Sequence, residues 1–260
     1  MTKVKKFWPI LTGTHLYEKT LSTRNVGHGE LIKAPILAYL IETSQGRILF
    51  DVGCDYKKIN QPDLRKHYYE HDGFEFGPPQ MEEAQRLPNK LEILGLQPTD
   101  IDMVFCSHLH FDHAGGLCEF CGAEVHVHAK ELAAAKEPAD DAYFADDFEL
   151  PLNWKLQTKE YSLVEGVDAI ETPGHTAGHM SLLIELPKGS PILLAGDAAD
   201  LQENIDKEIA PGLCWQDNES LAIASIQKLK QIAEKKHADL WPNHDWEFFQ
   251  RHDIFPRYFR

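Results

Sequence analysis

Long apolar runs, basic charge and cysteine are all scarce in this sequence, and each shortage removes a class of function. No stretch approaches the roughly 20 apolar residues that a membrane-spanning helix needs. The apolar run that follows Lys3, Lys5 and Lys6 is only about six residues long, short of the roughly 7–15 of a signal-peptide core. Neither a membrane span nor a secretion signal is expected. Lysine and arginine number 26 against 41 acidic residues, a formal net charge of -15, so nucleic acid and anionic membrane would be repelled over most of the surface. Five cysteines, Cys54, Cys106, Cys118, Cys121 and Cys214, are an odd number scattered through 260 residues, which argues against a disulfide framework and for a reducing, cytoplasmic setting. Internal repeats, low-complexity tracts and linkers are missing too. With 43% hydrophobic residues the chain can bury a core of its own, and residues 1–260 are expected to form a single domain.

What is present is a series of short apolar runs of strand length: 35–41, 47–50, 101–105, 123–127, 180–186 and 191–195, separated by Gly, Pro and Asp. Two segments read as helices instead. One runs from Pro88 to Leu94; the other spans Glu219 to Lys235, where Ala222, Ile226, Leu229 and Ala233 repeat at helical spacing. Strands interspersed with helices point to a layered domain that mixes the two. Residues 61–81 are polar and aromatic without a period and read as a long loop, a lid or a dimer contact, so the chain is expected to be a monomer or a homodimer. The acidic stretch 137–149 reads as a second excursion.

The densest chemistry lies in Ser107-His108-Leu109-His110-Phe111-Asp112-His113-Ala114-Gly115-Gly116. Histidines at i, i+2 and i+5 share no single face of a helix or strand, so a packing role explains them poorly. Three more apolar runs end the same way: Ala169-Ile170 leads through Thr172-Pro173-Gly174 to His175, Ile192-Leu193-Leu194 to Gly196-Asp197, and Leu240-Trp241-Pro242-Asn243 to His244-Asp245. Loops on a rigid scaffold commonly build sites, and these four could converge on one sheet edge. Five histidines and two aspartates are enough for two borderline divalent ions such as zinc, with cobalt, iron or manganese also accepted.

Taken in order, HLHFDH, TPGHTAGH, GDAAD and NHD resemble the metallo-β-lactamase superfamily, and within it the chain is similar to the N-acyl-homoserine lactone lactonases. The likeness extends to Gly29-Glu30-Leu31-Ile32, to Glu203-Asn204 and to the helix before His244. The resemblance implies an α+β fold, a four-layer αββα sandwich with a dinuclear metal site at strand ends. It implies that His108, His110 and His175 hold one ion, that Asp112, His113 and His244 hold the other, and that Asp197 bridges them. The implied reaction is the opening of a lactone ring, here an N-acyl-homoserine lactone, as in quorum quenching. A metal-bridging hydroxide would attack, and Asp112 would also move a proton to the leaving alkoxide. Phe111 is expected to line the substrate pocket or the core, and His179 to support the site by hydrogen bonding.

One position departs from the family pattern. Typical lactonases of this branch carry a tyrosine three residues after the bridging aspartate, and here Asp200 stands there. An ionised carboxylate cannot donate a hydrogen bond. Either Asp200 is protonated, or it meets a different substrate, or Tyr68, Tyr69 or Tyr143 supplies the hydroxyl. This keeps open a hydrolase of another small lactone, ester or thioester, pyridoxolactonase-like or glyoxalase II-like. A non-catalytic metabolite-binding module is disfavoured, because no ligand is missing. Of the remaining histidines, His126 and His128 are expected to face solvent from a strand, and His15 to be a surface or packing residue. Cys118 and Cys121 read as small thiols, since no second C-x-x-C pair exists.

Overall fold

A computed structural model describes residues 2–71, 74, 77–138 and 140–260. Strands β1 (Val4–Glu18) and β2 (Leu31–Thr43) form a long antiparallel hairpin that β3 (Gly46–Phe50) extends. Then β4 (Met103–Phe105), β5 (Glu124–His128) and β6 (Asn153–Gln157) add in parallel, giving the sheet order β1-β2-β3-β4-β5-β6. A second sheet follows with β7 (Tyr161–Val164), β8 (Val167–Glu171), β9 (Met180–Ile184) and β10 (Ile192–Leu194) antiparallel, and β11 (Asp239–Trp241) parallel to β10. Helices α1 (Tyr56–Asn60), α2 (Pro62–Tyr69) and α3 (Leu87–Ile93) lie between β3 and β4, and α4 (Phe111–Ala114) follows β4. Next come α5 (Ala129–Lys136) and α6 (Ala145–Phe148) before β6, α7 (Gln202–Lys207) and α8 (Glu219–Lys236) before β11, and α9 (Trp246–His252) after it. Among the described residues, no helix is long and apolar enough to cross a membrane.

Strand periodicity sorts the side chains into layers. On β2, Leu37, Tyr39 and Ile41 point between the sheets, while Ala38 and Leu40 point to the outer face. Ile48 and Phe50 against Leu49 on β3, and Phe105 against Val104 on β4, repeat the alternation. The outer face of the first sheet is covered by Leu87 and Leu91 of α3, Ala135 of α5 and Phe148 of α6. Ile205 of α7 and Ile226 and Leu229 of α8 cover the outer face of the second sheet, over Leu183 and Leu193. The result is the four-layer αββα sandwich. Because both faces of the strands are covered, β2 and β9 read as continuous apolar runs rather than as alternating ones.

Two expectations from the sequence are corrected here. His126 and His128 do not face solvent: they share the parity of Phe105 and turn into the space between the sheets, where both are buried. The His126 ring sits 2.9 Å from the Tyr161 hydroxyl, and His128 Nε2 lies 3.1 Å from Glu171. Polar residues on a strand look solvent-facing until a second sheet covers them. Second, the segment 61–81 is not all loop, since α2 occupies Pro62–Tyr69 with its proline in the first turn. Only Tyr69 of that helix is buried, so no apolar stripe betrays it. Residues 72, 73, 75 and 76 of the segment lie outside the described residues.

Tyr69, Phe74, Phe111 and Phe144 form an aromatic cluster that seats the excursion 61–81 against the stretch 137–149. Beneath it Lys58 Nζ lies 2.7 Å from Asp147 Oδ1 with both side chains buried, and the ammonium sits 4.2 Å from the Tyr68 ring centre. Burial pushes the Asp147 carboxyl up to about 7, and Lys58 only partly offsets it. A buried pair of this kind costs most when one partner is removed, because the other charge is then stranded. Asp147→Ala should therefore lower the unfolding free energy by about 3–5 kcal/mol, whereas Lys58→Met/Asp147→Leu should be near neutral. Urea unfolding of the three proteins checks this; equal losses in the single and double variants would show that the pair does not act as a unit.

Candidate metal centre

Four chain segments reach the site at the carboxyl ends of strands. Cys106 to His110 follows β4, Thr172 to His175 follows β8, Gly196-Asp197 follows β10, and Asn243-His244 follows β11. Glycine makes two of these turns possible. Gly174 has φ +139° and packs so closely that a Cβ would lie 2.4 Å from the Ala222 Cα, and Gly196 has φ +57° with His179 Nε2 at 2.7 Å from such a Cβ. The turns aim His175 and Asp197 at the segment that begins with His108.

All seven ligand candidates come together. The ligand atoms of His108, His110 and His175 lie within 4.8 Å of one another, as do those of Asp112, His113 and His244. Asp197 faces both sets with different oxygens: Oδ2 is 3.7 Å from His108 Nε2 and 3.5 Å from His175 Nε2, while Oδ1 is 3.3 Å from His113 Nε2 and 3.2 Å from His244 Nε2. That division matches the two ligand sets the resemblance implies. His110 presents Nδ1, 3.1 Å from His175 Nε2.

Four of the five imidazoles, all but His110, commit their other nitrogen outward in a hydrogen bond. His113 Nδ1 donates to Asp51 Oδ2 at 2.8 Å, and His108 Nδ1 to Ser107 Oγ at 2.9 Å, whose own hydroxyl donates to Asp51. His175 Nδ1 donates to the Leu213 carbonyl and His244 Nδ1 to the Pro35 carbonyl. His110 Nε2 lies 3.5 Å from Asp140 Oδ1. The partners of His108, His113, His175 and His244 favour the tautomers that turn a lone pair toward the common centre. The Nε2 atoms of His108 and His113 are buried there without a hydrogen-bond partner. Buried nitrogen acceptors left unsatisfied beside a carboxylate are costly unless a cation joins them, so the donor set fits divalent metal.

The charged groups of the site pull strongly on one another. Burial opposes a charge on His244, yet Asp197, Asp200 and Asp112 push it up to about 10. Burial lowers His175 to about 4 despite Asp197. Burial would raise Asp197, but His113, His244 and His108 hold it well below the usual carboxylate range. For Asp200, burial and then the Asp197 charge drive the carboxyl well above that range, toward the neutral form.

The other expected residues fall as follows. His179 accepts from the Asp197 N–H at 3.0 Å through Nε2, and its Nδ1 meets Thr172 Oγ1 at 2.9 Å, so it fixes the backbone of the shared aspartate. Phe111 fills both roles, buried in the aromatic cluster and lining the pocket over the centre. Asp200 is buried in that same pocket. None of the three proposed tyrosines lines it. Tyr68 is bonded to Asp146, the Tyr143 hydroxyl donates to Glu131, and Tyr69 lies in the aromatic cluster. His15, expected on the surface or in packing, also lines the pocket.

Sequence reading missed Asp51, Ser107, Asp140, Asn243 and Glu131. Asn243 Nδ2 donates to Asp197 Oδ1 at 2.9 Å. Glu131 is fully buried and accepts from Leu109 N and the Tyr143 hydroxyl through one oxygen and from Thr176 Oγ1 and Gly178 N through the other, tying two ligand loops together. Asp51, directly after a strand, carried a faint signal; Glu131, inside an alanine-rich helix, carried none. A small pocket of about 50 Å³ lies over the centre, and a larger space of about 780 Å³ shares His175 and Leu213 with it. The larger space opens between residues 130–143 and 212–217.

A sequence model of the metallo-beta-lactamase superfamily matches residues 32–244. An N-acyl homoserine lactonase from a Bacillus species is 34% identical over 98% of this chain and 99% of its own length. The N-acyl homoserine lactonase AttM of Rhizobium radiobacter is 31% identical over 87% of this chain and 89% of its own. Among solved structures, an N-acyl homoserine lactone hydrolase with the product N-hexanoyl-L-homoserine at its catalytic metal centre superposes with a TM-score of 0.89 at 32% identity, covering 99% of this chain and 100% of that one. Fold, converging ligand loops and relatedness along nearly the whole chain agree: it belongs to the metallo-beta-lactamase superfamily, in the branch of the N-acyl homoserine lactonases.

Proposed function

We propose that this protein opens the ring of N-acyl-homoserine lactones at a dinuclear metal centre held by His108, His110 and His175 on one side, by Asp112, His113 and His244 on the other, and by Asp197 between. The observation that carries the reading is the division of the Asp197 oxygens between the two sets of imidazoles. The ions are zinc or another borderline divalent metal, and when bound they supply water activation and polarisation of the ester carbonyl. Asp112, whose Oδ2 lies 3.6 Å from His113 Nε2 and 3.7 Å from His244 Nε2, takes the proton of the attacking water and returns it to the ring oxygen as the C–O bond breaks. The acid formed ionises and releases one proton per turnover. The exposed thiols of Cys118 and Cys121 suit a reducing cytoplasm.

The segment 61–81 packs onto Phe111 through Tyr69 and Phe74, so room for an acyl tail lies elsewhere. The space of about 780 Å³ beside His175, flanked by Ala134, Tyr143, Leu213 and Trp215, is large enough for a drug-sized apolar tail and shares His175 and Leu213 with the small pocket. A ring bound at the centre would send its tail past Leu213 into that space.

Three outcomes test these points. Metal-loaded protein should release protons from short- and long-chain acyl-homoserine lactones in weak buffer, and His108→Ala/His110→Ala should not; no release from any acyl-homoserine lactone would end the reading. Asp51→Asn, which weakens the acceptor of His113 Nδ1, should lower metal affinity about 10- to 100-fold, read by competition with a chromogenic chelator. Ala134→Trp should fill the larger space and raise KM for decanoyl over butanoyl substrates at least tenfold; unchanged chain-length preference would mean the tail lies elsewhere.

A further inference from the structure

The hydroxyl missing at position 200 has a substitute that the fold brings in from the first strand. We propose that Tyr17 is the phenolic donor of this active site, giving its hydrogen bond to the ester oxygen that gains negative charge, and that Ser22 positions it. The inference rests on the ester-hydrolase reading above and deepens it.

Tyr17 lies near the end of β1, opposite Ile32. Its strand carries none of the seven ligand candidates, yet Tyr17 lines the same pocket of about 50 Å³ as Asp112, Asp197, Asp200 and His244. The phenol oxygen is 2.8 Å from Ser22 Oγ, and Ser22 is buried. Asp200 is buried in the same pocket. When Ser22 donates to the phenol oxygen, the phenolic proton is left free for a substrate. Among the tyrosines, Tyr68 and Tyr143 are committed to carboxylates outside the pocket and Tyr69 to the aromatic cluster.

The surroundings keep that proton in place. Burial, the largest cause, drives the Tyr17 hydroxyl well above its ordinary range and so favours its protonated, donating form. A neutral donor aimed at a point where charge develops is worth most in a pocket that excludes water. Asp200 and Tyr17 line this pocket together, so a short side chain at position 200 leaves the phenol its place there.

The test compares wild type with Tyr17→Phe, which removes one oxygen and keeps the ring, and with Tyr68→Phe as the control. It uses whichever cyclic or aryl esters the metal-loaded wild type hydrolyses, from a panel of acyl-homoserine lactones, aliphatic γ-lactones and p-nitrophenyl acetate. Absence of acyl-homoserine lactone turnover then counts against the substrate reading alone. Tyr17→Phe should lower kcat roughly 10- to 100-fold with metal content and melting temperature unchanged, and Tyr68→Phe should match wild type. Ser22→Ala should show a smaller loss of kcat. Affinity for the ring-opened product, read by calorimetry, should fall about tenfold in Tyr17→Phe, the loss of one hydrogen bond to a charged oxygen. A Tyr17→Phe protein with wild-type kcat and product affinity overturns the proposal, as does a loss of activity fully explained by lost metal.

Discussion

The Asp197 carboxylate has one oxygen for each of two groups of imidazoles, and the rest of the structure is arranged around keeping it there. Its backbone N–H is held by His179, whose far nitrogen meets Thr172, which in turn meets Ser181, whose hydroxyl donates to the carbonyl of Ala195. That chain of bonds crosses from β8 through β9 to the turn after β10, so the aspartate is fixed by the second sheet as a unit. The first sheet contributes Ser107 to His113, positioned by Asp51. Two rigid sheets meet at one edge, and side chains able to bind a metal are brought this close because neither sheet bends easily.

The polar network below the ligands is as demanding as the ligands themselves. Asp51 and Glu131 are carboxylates with no solvent to satisfy them, and each is satisfied by loop groups: Asp51 by Ser107 and His113, Glu131 by Leu109, Tyr143, Thr176 and Gly178. A buried carboxylate with all its bonds made rigidifies its neighbours, and one left short of a partner would destabilise them. The aromatic cluster around Phe111 works differently. It closes the pocket by packing and ties the excursion 61–81, through Tyr69 and Phe74, to the segment that carries Phe144.

Much of this was legible in the chain. Side chains able to ligate a metal, in loops that follow apolar runs, announce themselves through their chemistry, and the family pattern orders them. The strands at 35–41, 47–50 and 191–195 and the helix from Glu219 were legible because local periodicity or an unbroken apolar run carries them. The misreadings share one cause. The α2 helix buries a single residue, β1 begins among lysines, and His126 and His128 alternate like surface residues. In each case the deciding neighbour lies on a distant part of the chain, and no local pattern reports it.

By itself the sequence determined the superfamily, the seven ligand candidates and the anomaly at Asp200, because each depends on which residue types stand at short fixed separations. Only the tertiary structure decided which nitrogen of each imidazole is free, which carboxylates orient the rings, where room for a substrate lies, and that Tyr17 enters the pocket. These depend on distances between groups far apart along the chain, such as the Pro35 carbonyl that fixes His244. Such distances are set by the packing of two sheets, and a one-dimensional pattern holds no record of them.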